Sequence, residues 1–303
     1  MQLVIFMVRD VLELIRPHQW LKNLFIFLPI FFGGKLFDFN SQVSCLIAFF
    51  AYSLASSSIY CLNDILDRKA DALHPKKKYR PIASGKVSLS WGYALAFLLL
   101  FASGGVLACS RLHVQDIYCL QAAVFIGFYY ILNIFYCLYL KHIALIDVMV
   151  IATGFVLRIF VGGSITGIVL SHWIIIMTFL LALFLAFAKR RDDVLVYKQT
   201  GNKPRANIEC YNETFLNQII TVIIAVIVVV YLLYCVSPEV MERMNSSNVY
   251  ITAAFVLLGL LRYLQVVLVD EKSGSPTKVL MSDHFLQMTI LGWIISFIII
   301  LYL

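Results

Sequence analysis

Charge is scarce in this chain. Asp, Glu, Lys and Arg make up 14% of its 303 residues, against roughly 25% in a soluble domain, and the mean hydropathy is +0.88. That scarcity excludes an ordinary soluble fold. Short alternating segments are also missing, which excludes a membrane β-barrel. None of the seven cysteines forms a CxxC pair, so neither a zinc site nor a disulfide framework is expected. Most lie in or beside apolar runs and read as small hydrophobes. There is no Gly/Ser or Pro-rich linker and no fixed-period repeat, so residues 1–303 are expected to form a single transmembrane domain. The opening stretch, MQLVIFMVRDVLELIRPHQW, lacks a basic leader followed by a small-residue cleavage site and does not read as a signal peptide. Residues 3–16 read instead as an amphipathic approach helix that ends before Pro17.

What the chain has in abundance is apolar runs that reach the roughly 20 residues needed to cross a bilayer as helix. Nine spans are expected, near 20–37, 43–62, 91–108, 117–135, 143–163, 173–190, 217–235, 248–269 and 285–302. The fold class is therefore an all-α polytopic membrane protein. The first span is the least regular, because Pro29 and the Gly33-Gly34 pair interrupt it.

The net charge of +7 reflects orientation and contact with membrane lipids; nucleic acid need not be invoked. Three Lys/Arg precede or include Lys22, seven lie in 63–90, one is Lys141, six lie in 189–216 and two in 270–284. These nineteen fall on one side of the nine-span arrangement, against three (Lys35, Arg111, Arg243) on the other. The bias places the N-terminus and the two charged loops, 63–90 and 189–216, in the cytoplasm and the C-terminus outside. Such a membrane is expected to be a bacterial inner membrane.

The first charged loop reads NDILDRKADALHPKKKYRPIASG from residue 63. Asp64, Asp67 and Asp71 are three and four residues apart, which puts them on one face of a helix leaving span two. Three carboxylates on one face repel one another unless they share a cation. A hard divalent ion such as Mg²⁺, carrying a phosphorylated substrate, suits them. Asn63 adds a neutral oxygen and an amide donor. Lys76, Lys77, Lys78 and Arg80 follow as a basic surface. Acids for a metal beside bases for phosphate is what a diphosphate requires, although a lysine cluster at a cytoplasmic boundary also serves topology alone.

Asn63, Asp64, Asp67 and Asp71 together match NDxxDxxxD, and this loop resembles the first Asp-rich motif of the UbiA superfamily of intramembrane prenyltransferases. RPHQWLKNLFIFLP (16–29), LKHIALIDVMVIATGFVLRIFVGG (140–163), FLAFAKRRDDVLVY (184–197) and YNETFLNQ (211–218) resemble, in order, segments of its decaprenyl-phosphate phosphoribosyltransferase branch. The resemblance implies about nine transmembrane helices around a central cavity. It also marks a departure. Conventional members carry a second DxxxD motif near the sixth span, where this chain has Lys189, Arg190, Arg191, Asp192 and Asp193. Adjacent acids point about 100° apart on a helix and cannot share one narrow face. A cationic second motif favours a donor whose phosphates are gripped directly.

Arg158 lies inside a span and is a phosphate ligand or a structural pair. Asp147, eleven residues earlier, faces the same way, about 16 Å along the axis. Lys22 is catalytic or topological. Tyr129, Asn133 and Lys141 add polar groups near the cytoplasmic end of span four, and Tyr211 contacts the donor or belongs to a helix cap. Gly162 and Gly163 read as packing residues. The resemblance implies Mg²⁺-dependent transfer of 5-phosphoribosyl from 5-phosphoribosyl 1-diphosphate to a long polyprenyl phosphate. Asp64, Asp67 and Asp71 would hold the metal. Lys189, Arg190 and Asp193 would serve the donor, and Lys22 or Arg158 the acceptor phosphate. Two alternatives stay open: a conventional prenyltransferase acting on a small acceptor, and a non-catalytic or transporter membrane protein.

Overall fold

Capping residues set where the helices start. The computed structural model describes residues 2–74, 77–112, 114–270 and 276–302. Helix α1 covers Gln2–Ile15. A 3₁₀ run, Pro17–Phe27, and a short α2, Leu28–Phe32, follow it. Next come α3 (Phe39–Leu73), α4 (Leu89–Cys109), α5 (Asp116–Leu138), α6 (Ile146–Thr166) and α7 (His172–Thr200). The chain continues through α8 (Glu213–Cys235), α9 (Pro238–Met244), α10 (Thr252–Leu268), α11 (Pro276–Ser282) and α12 (His284–Tyr302). Asp38 starts α3 by accepting Ser41 N–H at 2.9 Å. Asn212 does the same for α8 through Phe215 N–H at 2.8 Å, so the polar residue after Tyr211 is a cap. Gly201, at φ 68°, ends α7 with its N–H on Tyr197 O; a left-handed C-cap is where glycine costs least.

Among the described residues, eight helices are long and apolar enough to cross a membrane. The chain is an integral polytopic membrane protein of all-α architecture. The first expected span differs from the other eight. Pro17 and Pro29 remove backbone donors and Gly33 follows them, so residues 17–32 form an eleven-residue 3₁₀ run and a five-residue α-turn. Two helices exceed what a bilayer needs. At about 1.5 Å per residue, the 35 residues of α3 span about 52 Å and the 29 of α7 about 44 Å, against a hydrocarbon core of roughly 30 Å. Both charged motifs therefore sit on helical extensions, and the loop after α7 begins at Gly201 instead of near Lys189.

The chain forms two compact units. The first comprises Met1–Ile143 and Thr153–Leu170. In it α3 packs against α1, the 3₁₀ run, α4 and α5. Small residues permit this: Ala48, Ala51, Ala55 and Ser56–Ser58 of α3 are buried, and Ser103 Oγ reaches Ala51 O at 2.6 Å while Ser58 Oγ reaches Ala96 O at 2.7 Å. Close approach and interhelical hydrogen bonds replace the hydrophobic drive that lipid removes. Gly162 has a packing role, since a Cβ there would stand 2.0 Å from Ile26 O. The second unit comprises Ala144–Ala152 and Ser171–Leu303. There α7 packs on α8, α8 on α10 and α10 on α12, with Phe184 edge-on to Tyr263.

Candidate functional site

In the first unit the acidic face of α3 is paired, with Asp64 and Asp71 buried and Asp67 half-buried. Asp64 is 2% exposed, and its Oδ1 accepts from Arg16 Nη2 at 2.6 Å and Arg80 Nη1 at 3.1 Å. Asp71 Oδ2 takes the same Arg80 nitrogen at 2.6 Å. Asp67 Oδ1 takes Lys141 Nζ at 2.5 Å. Asn63 Oδ1 accepts from the thiol of Cys137 at 3.4 Å. The spacing argument therefore holds for the helix, and of the basic surface expected beside it Arg80 is bonded to the acidic face. Among the described residues, however, no three His, Cys, Asp or Glu side chains converge as a ready metal cage, because each carboxylate turns to a cationic side chain. Lys76 lies outside the described residues. Lys78 is exposed and stacks 5.1 Å from the Tyr79 ring centre.

One atom in this cluster stands apart. Asp64 Oδ2 is buried with no hydrogen-bond partner. A carboxylate oxygen is costly to leave so, and the missing partner has to be positive or a donor. The oxygens are of the kind a hard divalent cation takes: one is enclosed and unsatisfied on Asp64, and Asp67 and Asp71 share its helical face, where Lys141 and Arg80 now occupy them. Arg16, which the motif does not reveal, has the backbone conformation φ 52°, ψ 60°. A non-glycine residue in the left-handed region is uncommon, and here it aims a guanidinium at Asp64.

Deeper in the same unit, Arg158 is 5% exposed. Its Nε donates to Asn23 Oδ1 at 2.8 Å and its Nη1 to Gly154 O at 2.7 Å. The rings of Tyr52, Tyr129 and Phe155 surround it, with centres 4.8, 5.3 and 5.1 Å away. Asn23 is held in turn by Ser53, to whose Oγ its Nδ2 donates at 2.8 Å. Tyr129 is thus part of an aromatic cage, and Asn133 spends its Nδ2 on Tyr129 O at 2.8 Å in its own helix. Lys22 is exposed. Arg158 is thus paired within the protein, with Asn23 and the cage as its partners.

The second unit holds a different cluster. Asp147, 1% exposed, accepts Arg190 Nε at 2.7 Å on Oδ2 and Tyr211 Oη at 2.8 Å on Oδ1. Tyr211 Oη also accepts Leu145 N–H at 2.7 Å; burial raises the Tyr211 phenol well above its usual range, so it stays a donor to Asp147. Leu145 has φ 68°, a strained conformation for a bulky residue. Arg190 is fully buried and also reaches Asp193 at 3.4 Å, which accepts Arg205 Nε at 2.7 Å. Its Nη2 is buried with no partner. Arg191 points elsewhere, to Asn217 Oδ1 at 2.6 Å and Val267 O at 2.7 Å, and joins α7 to α8 and α10. Lys189 is half-buried. Sequence reasoning placed Lys189 and Arg190 alike, yet only Arg190 carries an enclosed unsatisfied donor. It also missed Arg205, since nothing in a polar loop marks which arginine folds back onto Asp193.

The chain is 30% identical over 296 residues to decaprenyl-phosphate phosphoribosyltransferase of Corynebacterium glutamicum, covering 96% of this chain and 86% of that protein. It is 30% identical over 300 residues to the protein of the same name from Mycolicibacterium smegmatis, covering 95% and 91%. Among solved structures, a UbiA homolog from Archaeoglobus fulgidus bound to GPP and Mg²⁺ has the same fold, with a TM-score of 0.67 and 18% identity over 97% of this chain and 100% of that one. The family model described as the UbiA prenyltransferase family matches residues 24–291. With that match over most of its length, and with the buried Asp and Arg clusters at the positions the motifs marked, this chain belongs to the UbiA prenyltransferase family.

Proposed function

We propose that this chain transfers 5-phosphoribosyl from 5-phosphoribosyl 1-diphosphate to a polyprenyl phosphate and releases diphosphate. Membership of the family carries a transferase chemistry on prenyl- or polyprenyl-phosphate substrates in a membrane. The narrower donor assignment rests on one observation above all: Arg190 Nη2 is enclosed and unpartnered at the motif where a conventional prenyltransferase has acids. A guanidinium N–H in a low-dielectric site wants an anionic oxygen, and phosphate geometry suits it. The names of the two relatives support the same reading.

Asp147 and Tyr211 fix Arg190 in place, and Arg190 Nη2 takes a donor phosphate oxygen. Asp64, Asp67 and Asp71 would hold Mg²⁺, which when bound neutralises charge on the diphosphate leaving group. The lipid phosphate is ionised near neutral pH and needs no general base. Its oxygen forms the new bond to ribose C1 as the C1–O bond to diphosphate breaks, and the electron pair leaves with diphosphate. Direct displacement inverts C1. Exposed Lys22 is a candidate for the acceptor phosphate. Arg158 acts through Asn23 as a positioning residue, since its described bonds go to protein groups. Both charged motifs face the cytoplasm in this reading, where the soluble donor is found.

The test is transfer of labelled phosphoribosyl to a panel of polyprenyl phosphates by purified protein with Mg²⁺. Ribosylated lipid and free diphosphate are expected, and Asp67→Asn should lower turnover by about 10²-fold or more while the protein still inserts. Prenylated aromatic product from a prenyl diphosphate, with no ribosylated lipid at any chain length, would overturn the proposal in favour of the conventional prenyltransferase.

A further inference from the structure

Among the described residues of the second unit, four buried side-chain polar atoms lack a protein partner: Arg190 Nη2, both amide atoms of Asn207 and Tyr263 Oη. The first already has a phosphate in the reading above. Asn207 has had no role. It lies between α7 and α8 and is 3% exposed. Its backbone is settled without its side chain: its carbonyl accepts Cys210 N–H at 3.1 Å and opens the turn Ile208–Cys210, where it makes no side-chain cap bond. Two residues earlier, Arg205 is bonded to Asp193 at 2.7 Å, and Asp193 accepts from Arg190. Two residues of chain reach at most about 7 Å, which keeps the backbone of Asn207 within that distance of the backbone of Arg205, whose side chain joins the Arg190 network.

The amide has a particular demand. Nδ2 only donates and Oδ1 only accepts. An ionised phosphate satisfies Nδ2 and leaves Oδ1 orphaned. A prenyl chain satisfies neither. One hydroxyl satisfies either atom, and the neighbouring hydroxyls of a pentose satisfy both, because each can donate or accept. We infer that Asn207 hydrogen-bonds a hydroxyl of the pentose in the anionic donor and is a specificity-determining residue that selects a sugar diphosphate over a prenyl diphosphate. The inference rests on the proposed donor. A site built to bond a hydroxyl discriminates sharply against ligands that lack it, since its buried polar atoms are then left unpaired.

Binding to the purified full chain with Mg²⁺ tests this, using phosphoribosyl diphosphate and inorganic diphosphate as separate ligands for wild type, Asn207→Leu and Asn207→Ala. Wild type should bind the sugar diphosphate more tightly than diphosphate. Asn207→Leu should lose about 10- to 10²-fold for the sugar diphosphate and bind inorganic diphosphate unchanged. Without ligand it should melt at or above the wild-type temperature, because apolar atoms replace an unsatisfied amide. Asn207→Ala should show the same split between ligands. A variant that binds the sugar diphosphate as wild type does would overturn the inference and leave the amide merely hydrated. Loss of both ligands in both variants would make Asn207 a folding residue and overturn it too. If wild type fails to prefer the sugar diphosphate, the donor reading itself falls. That failure appears in the unmutated protein, whereas failure of the Asn207 assignment alone appears only in the variants.

Discussion

Arg190 Nε and Asp147 Oδ2 lie 2.7 Å apart, with the guanidinium fully enclosed and the carboxylate 1% exposed. A pair this deep is not a source of net stability in itself, because desolvation of both ions offsets their attraction. Its value is positional: it fixes the guanidinium so that the remaining nitrogen, Nη2, is enclosed with no protein acceptor. Breaking one side strands the other charge.

The first prediction follows from that asymmetry. Asp147→Asn should cost about 3–5 kcal/mol of stability, as expected when one member of a buried ion pair is removed, and should abolish transfer. The double variant Asp147→Asn, Arg190→Gln should recover much of the lost stability and none of the activity. Thermal melting and turnover on the same preparations separate the two effects. Equal melting of wild type and Asp147→Asn would show that the pair does not bear on the fold.

Much of this was legible in the order of residues. Apolar length placed eight helices, and the three- and four-residue spacing of Asp64, Asp67 and Asp71 placed them on one face, because a helix converts spacing into direction. What escaped is what depends on contacts far apart in sequence. Asp64 is met by Arg16, 48 residues away, through a left-handed backbone that a residue before proline rarely adopts. Asp147 reads as a lining acid until Arg190, 43 residues on, is found bonded to it. Arg158 has the chemistry of a phosphate ligand, but packing gives it Asn23 and three aromatic rings. Asn207 gave no signal at all, since an asparagine in a polar loop is ordinary until its burial is known.

The second prediction concerns orientation. The 3₁₀ run and α2 have eleven and five residues. At about 2.0 and 1.5 Å per residue they extend roughly 30 Å, the thickness of a hydrocarbon core. We therefore expect residues 17–32 to be a ninth crossing, with the N-terminus cytoplasmic and the C-terminus outside, as nineteen against three basic residues demand. Tags at the two termini should be accessible from opposite faces. In a background without the exposed thiols of Cys109 and Cys210, Ser84→Cys should label only from the cytoplasm and Ser247→Cys only from outside. Termini on the same face would remove the ninth crossing.

The third prediction explains the other intramembrane arginine. Arg262 of α10 donates to Asp283 Oδ2 through Nε at 3.0 Å and Nη2 at 2.7 Å. Asp283 also accepts Leu286 N–H at 2.9 Å and so starts α12. The bonds from Arg262, with those from the backbone, hold the Asp283 carboxyl below its ordinary value. A carboxylate with a depressed folded-state value contributes stability that is fully present above its unfolded value, about 3.9. That contribution is lost as pH falls through the lower folded value. Asp283→Asn removes the charge and retains a good helix cap. At neutral pH it should melt a few degrees at most below wild type, as befits a half-buried pair. The difference should close as pH falls below about 4. A difference that persists unchanged in acid would assign the stabilisation to the cap and not to the ion pair.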